Sequence, residues 1–96
     1  MRAMLFATPD DLSGAEVDDF WNQGICMDDW DYMVLFEAPD SLLEPDDEAE
    51  PHDEGRPSYR CRDWSVERLL GADYRSRWYR GTYQGKLYAV GVVYHA

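Results

Sequence analysis

Positive charge is almost absent from the first half of this chain. Residues 1–55 hold one base, Arg2, against seventeen carboxylates, which leaves that stretch at −16. The remainder, from Arg56 on, holds eight bases against Asp63, Glu67 and Asp73, a surplus of +5 within a total of −11. A surface with that balance repels phosphate, which excludes unaided nucleic-acid binding over most of it and argues against anionic membranes. Cysteine is scarce. Cys26 and Cys61 fit no C-x-x-C and no Cys/His spacing for zinc. Long apolar runs are lacking, so no stretch has the length to span a membrane. The opening MRAMLFATPDD turns acidic too early for a signal peptide. These absences predict a cytoplasmic protein with reduced thiols, although two cysteines allow one disulfide. There is no glycine-rich phosphate loop, no G-x-S-x-G and no H-E-x-x-H, so no enzyme is expected and no cofactor.

What is present is an aromatic-rich core composition. The 96 residues include four Trp, seven Tyr and three Phe, and 45% of the chain is apolar. That is too apolar for a wholly disordered acidic polypeptide, and it suits a single domain over 1–96. Large aromatic side chains let a small domain bury enough surface to fold, and those left outside serve as contact residues.

Residues 2–7, RAMLFA, read as a short strand. Thr8-Pro9-Asp10-Asp11 has the order of a helix start, and Ser13 with Glu16 gives a second start with capping-box spacing. The helix is expected over about 13–23, stopping at Gly24, with Val17, Phe20 and Trp21 sharing a face. Tyr32 to Phe36 form a continuous apolar run within 30–37, the pattern of a strand covered on both sides. Residues 38–58 carry four of the five prolines and eight acids, which predicts a long, mobile, extended loop tethered by Leu42 and Leu43. A short helix is expected over 63–71, capped by Asp63 or Ser65, with Val66, Leu69 and Leu70 turned inward and Gly71 at its end. Residues 74–83 and 86–95 read as two strands joined tightly at Gln84-Gly85. Arg75, Arg77 and Tyr79 then share one side of their strand, and Tyr74, Trp78 and Arg80 the other. The predicted fold class is α+β: a two-layer, mostly antiparallel four-stranded sheet with two short helices on one face, in the order β-α-β-loop-α-β-β.

The eight bases of 56–96 cannot neutralise the seventeen acids of 1–55 in any arrangement, so at least nine of those acids lack a partner among them. Such an excess serves either ordinary solvation or a basic partner, and it exceeds the charge of about 2–8 that solubility asks of a small domain. Asp28-Asp29-Trp30-Asp31 and Asp46-Asp47-Glu48 are clusters of hard oxygen ligands without the spacing of a calcium loop, so no metal site is expected. His52 and His95 have no nucleophile in sequence context. Cys61, between Arg60 and Arg62, favours the thiolate only if exposed. The strand with Tyr74, Arg75, Arg77, Trp78, Tyr79 and Arg80 has the residues to stack on bases, but the global field favours internal packing and pairing instead.

In type, the chain resembles small phage-encoded inhibitors that imitate DNA, among them anti-CRISPR proteins. The likeness covers residues 10–54: a dense run of Asp and Glu without bases, attached to a compact aromatic core. It implies a stoichiometric inhibitor docking on the basic nucleic-acid channel of a target protein, a CRISPR effector above all. The basic C-terminal part departs from a uniformly acidic mimic and confines any mimicry to one face. The expected contact residues are Glu16, Asp18, Asp19, Asp28, Asp29 and Asp31, with Trp21, Trp30 and Tyr32 as aromatic anchors. The same electrostatics suits an immunity or antitoxin protein that caps a nuclease. A third reading, a small enzyme or ligand-binding domain, is favoured by a closed, polar-lined pocket around Cys61 or His52.

Overall fold

The computed structural model describes residues 4–37, 39–45, 59–62 and 66–95. Nine elements follow one another: β1 (Met4–Ala7), α1 (Gly14–Asn22), β2 (Trp30–Phe36), α2 (Pro39–Leu42), β3 (Leu43–Pro45), β4 (Tyr59–Cys61), α3 (Val66–Leu70), β5 (Tyr74–Tyr83) and β6 (Lys86–His95). The strands form one antiparallel sheet in the order β1-β2-β6-β5-β4-β3. The α+β class is as the sequence implies. The strand count is not four but six, because β3 and β4 add a small ladder, Leu43↔Cys61 to Pro45↔Tyr59, beyond β5.

The β5–β6 hairpin is the spine. Its register runs from Tyr74↔His95 to Tyr83↔Lys86. Gln84 and Gly85 both take positive φ, 52° and 78°, the conformation of a two-residue turn that matches strand twist. In β6, Val90, Val92 and Val93 are fully buried, so both faces of this strand are covered. Each buried valine contributes roughly 1.5–3 kcal/mol of transfer free energy. β2 lies between β1 and β6 and buries Met33, Val34 and Leu35 completely, as its apolar run predicts.

Side chains alternate across the sheet and define three clusters, the smallest of them Val34 with Val93 on the side of Tyr32 and Tyr74. On one face, Met33, Leu35, Tyr79, Val90 and Val92 pack with Ala7, Leu12, Phe20, Ile25 and Met27. On the other, Trp78 and Ala89 pack with Leu43 and Cys61, and Leu42 of α2 joins them. The helices therefore do not share one face. α1 covers the first and α2 the second, and there are three short helices rather than two. Leu42 and Leu43 do tether their segment, but 39–45 forms a helical turn and a strand rather than an extended loop. The rest of the expected acidic loop, 46–58, lies outside the described residues.

α1 starts where the capping box places it. Glu16 N–H donates to Ser13 Oγ (3.2 Å), and Ser13 N–H donates to Glu16 Oε1 (3.0 Å). Thr8 to Asp11 make a short turn before it: Thr8 N–H donates to Asp11 Oδ2 (2.8 Å) and Asp11 N–H to Thr8 O (2.9 Å). Gly24, at φ 82°, ends the helix. α3 corrects the expectation of inward leucines: Leu69 is 61% and Leu70 41% exposed. Its caps Asp63 and Ser65 lie outside the described residues. Cys26 and Cys61 sit on opposite faces of the sheet with no disulfide between them.

Candidate partner-binding surface

α1 is fixed to the sheet by its own polar side chains. Glu16 Oε2 accepts from the Tyr83 hydroxyl (2.7 Å), and Phe20 stacks on the same ring at 5.8 Å. That bond, reinforced by Ser13, holds the Glu16 carboxyl below the ordinary glutamate range, and the same contact pushes the Tyr83 phenol up. At the helix end, the Gln23 carboxamide donates to Thr82 O (2.9 Å) and accepts from Thr82 N–H (2.7 Å). Its Nε2 also donates to Asp19 Oδ2 at 3.2 Å. Glu16 and Gln23 thus rotate the buried face toward themselves. Val17 stays half-buried, but Trp21, expected on the same face, is turned away from it and is 43% exposed.

The next acids follow a loop across the same face of the sheet. Arg77 reaches up from β5 and donates from Nη2 to Cys26 O (3.3 Å) and Asp28 O (3.0 Å), with its guanidinium 4.3 Å from the Tyr94 ring centroid. Its Nε is buried with no hydrogen-bond partner among the described residues. The guanidinium therefore binds carbonyls, not carboxylates, and holds a turn whose Asp29 takes φ 53°. Asp residues tolerate that conformation better than most. Asp28 and Asp29 are exposed on this turn.

Asp31 parts from them. The register of β2 on β6 slips between Trp30 and Tyr32, which face Tyr94 and Val93 in turn. Trp30 packs into the α1-side cluster. Asp31 pairs instead with His95 Nδ1, on the far side. There Tyr32 packs with Phe6 (5.3 Å) and Tyr74 (6.1 Å), and Tyr74 with His95 (4.6 Å). Burial first, then Tyr32 and Asp31, push the Tyr74 phenol up. A bulge changes which face a side chain takes, and the sequence carried no signal of this one.

The described bases that form ion pairs form them elsewhere. Arg60 and Arg62 pair with Glu44 (2.6 and 3.4 Å), Arg80 pairs with Asp40, and Lys86 with Glu37. Arg60 holds the Glu44 carboxyl down, while Asp40 pushes Arg80 up and Glu37 pushes Lys86 up. Arg75 donates to Ala72 O (2.7 Å) and Tyr74 O (2.9 Å). Among the described residues, no Lys or Arg pairs with an acid of 10–29, and Asp18 has no partner of any kind. Among the described residues, the acids without a cation include Asp10, Asp11, Asp18, Asp19, Asp28 and Asp29, on and around α1.

Of the nine residues singled out from sequence, Asp18, Asp19, Trp21, Asp28 and Asp29 share the α1 side exposed. Glu16 and Trp30 are built into that side, and Asp31 and Tyr32 belong to the aromatic row on the other. Arg77, which sets the 28–29 turn, was not among them; its parity with Tyr79 on β5 was the available signal. Among the described residues, no three His, Cys, Asp or Glu side chains gather as metal ligands, and no helix is long and apolar enough to cross a membrane. Comparison with protein-family models, curated proteins and solved structures finds no match.

Proposed function

We propose that this chain is an acidic inhibitor that docks its α1 side on the basic nucleic-acid-binding surface of a target protein, in the cytoplasm of the cell that holds the target. One observation carries the reading. Among the described residues, the side-chain ion pairs fall on acids of 31–44, while Asp18, Asp19, Asp28 and Asp29 are exposed and pair with no cation. Segregated charge of one sign accelerates encounter with the opposite sign and rejects nucleic acid itself. The inhibitor acts stoichiometrically, by occupying a groove built for phosphates. The resemblance to phage-encoded DNA mimics makes a CRISPR effector the first target to try.

The test is a pull-down from host lysate at low and high salt. The reading expects a basic partner that salt releases and DNA displaces. Reversing Asp18 and Asp19 to Lys should weaken capture by about tenfold or more, and far beyond the effect of reversing Asp46 and Asp47. Equal losses in the two variants, with both still folded by circular dichroism, would reject the α1 side as the contact. Loss of CRISPR interference on co-expression identifies the anti-CRISPR class. Rescue of cells from a nuclease toxin identifies an immunity protein instead.

A further inference from the structure

α1 exposes one large side chain that packing leaves unexplained. Phe20 is buried, and Glu16 and Gln23 are bonded to the hairpin. At about 100° per residue, the face these three share leaves Asp18 and Trp21 together on the outer side. They are three residues apart, so their Cβ atoms stand about 5–6 Å from each other. Asp19 is engaged by Gln23, whereas Asp18 has no partner among the described residues. An indole face attracts a cation, yet among the described residues no cation lies on the Trp21 ring; the ring that Arg77 covers is that of Tyr94.

Resting on the reading above, we propose that Asp18 and Trp21 form a receptor for an arginine side chain of the basic partner protein. Charge complementarity selects a cation, and the pairing of carboxylate with indole selects among cations. A guanidinium is planar. It can give two N–H bonds to the Asp18 carboxylate while its face lies on the Trp21 ring. A lysine ammonium is a compact, strongly hydrated point charge and cannot meet both as well. Trp21 thereby sets a preference for arginine that acids alone do not have.

The experiment titrates the full chain at low salt with oligo-arginine and oligo-lysine peptides of equal length. It follows the tryptophan indole N–H resonances, with the Trp21 signal identified by its loss in Trp21→Leu. The expected result is a shift of the Trp21 resonance and about two- to fivefold tighter binding of the arginine peptide. That preference disappears in Trp21→Leu and in Asp18→Asn, which change only exposed side chains. The double variant Asp28→Asn, Asp29→Asn weakens both peptides alike and keeps the preference. Equal affinities in the parent chain, a silent Trp21, or a preference that survives Trp21→Leu each overturn the receptor. If the peptides bind equally and salt releases them, the receptor fails and the acidic-surface reading stands. If neither binds at low salt, the surface reading fails and the receptor with it.

Discussion

Trp78 lies flat on Gly91, and this contact predicts the stability of the hairpin in numbers. A methyl group placed on Gly91 would come within 2.6 Å of Trp78 Cη2, 2.7 Å of Cζ3 and 2.9 Å of Cζ2. These are ring atoms, so no torsion at the far end of a side chain relieves them. The indole cannot retreat freely: it is 4% exposed, its Nε1–H donates to Ser76 Oγ (3.0 Å), and it stacks on Phe36 at 6.1 Å. Gly91→Ala therefore overpacks the sheet, at a cost of about 1–3 kcal/mol. The lower entropy of the unfolded alanine chain offsets roughly 0.4–1 kcal/mol of that. The net loss is about 1–2 kcal/mol, which for a domain of this size lowers Tm by roughly 5–15 °C. Thermal and urea melts followed by circular dichroism measure it. Trp78→Phe in the same chain should make the loss less than additive, because the smaller ring gives way. Gly81→Ala is the control. Its methyl would meet Ile25 Cδ1 at 2.7 Å, Val90 Cγ2 at 3.2 Å and Gln23 Oε1 at 3.3 Å, ends of side chains rather than a ring, so its cost stays below that of Gly91→Ala. A Gly91→Ala variant as stable as the parent would refute the stacking and the reasoning built on it.

Glu16→Gln removes the charged acceptor of the Tyr83 hydroxyl. Folded Glu16 binds its proton less tightly than the unfolded chain does, so its contribution is present above the ordinary glutamate pKa and fades as pH falls through the lower folded value. Urea melts of the parent and Glu16→Gln should differ most near about pH 7 and converge near about pH 3; a gap that grows on acidification contradicts the assignment. At the hairpin turn, Gly85→Ala forces a side chain onto φ 78° and should cost about 1–2 kcal/mol in the same melts, with no change in peptide binding.

The parts of the fold that sequence disclosed are those governed by local chemistry. Ser13 and Glu16 name their helix start, Gln84-Gly85 names its turn, and the run from Tyr32 to Phe36 announces a strand covered on both faces. Other parts depend on partners distant in sequence. Pro39 to Pro45 reads as loop from its prolines and acids, yet Leu43 finds Cys61, and Asp40 and Glu44 find Arg80 and Arg60. Leu69 and Leu70 have helical spacing toward a core that their short helix does not reach. The acidic surface was legible as composition, because charge needs no fold to be counted. Its division was not. A single slip in the register of β2 assigns Asp31 to the side opposite Asp28, and no periodicity in the sequence encodes that slip.

Gln23 has a role beyond anchoring its helix. Among the described residues, β4 meets β5 only at Tyr59↔Trp78, so no described strand reaches Thr82 on that flank. A side-chain amide has the same donor and acceptor as a peptide unit, and Gln23 offers both to Thr82 in the manner of a missing neighbouring strand. Open flanks of this kind are templates on which other chains align and aggregate. One carboxamide, borrowed from a helix, takes at Thr82 the place that an intruding polypeptide would need.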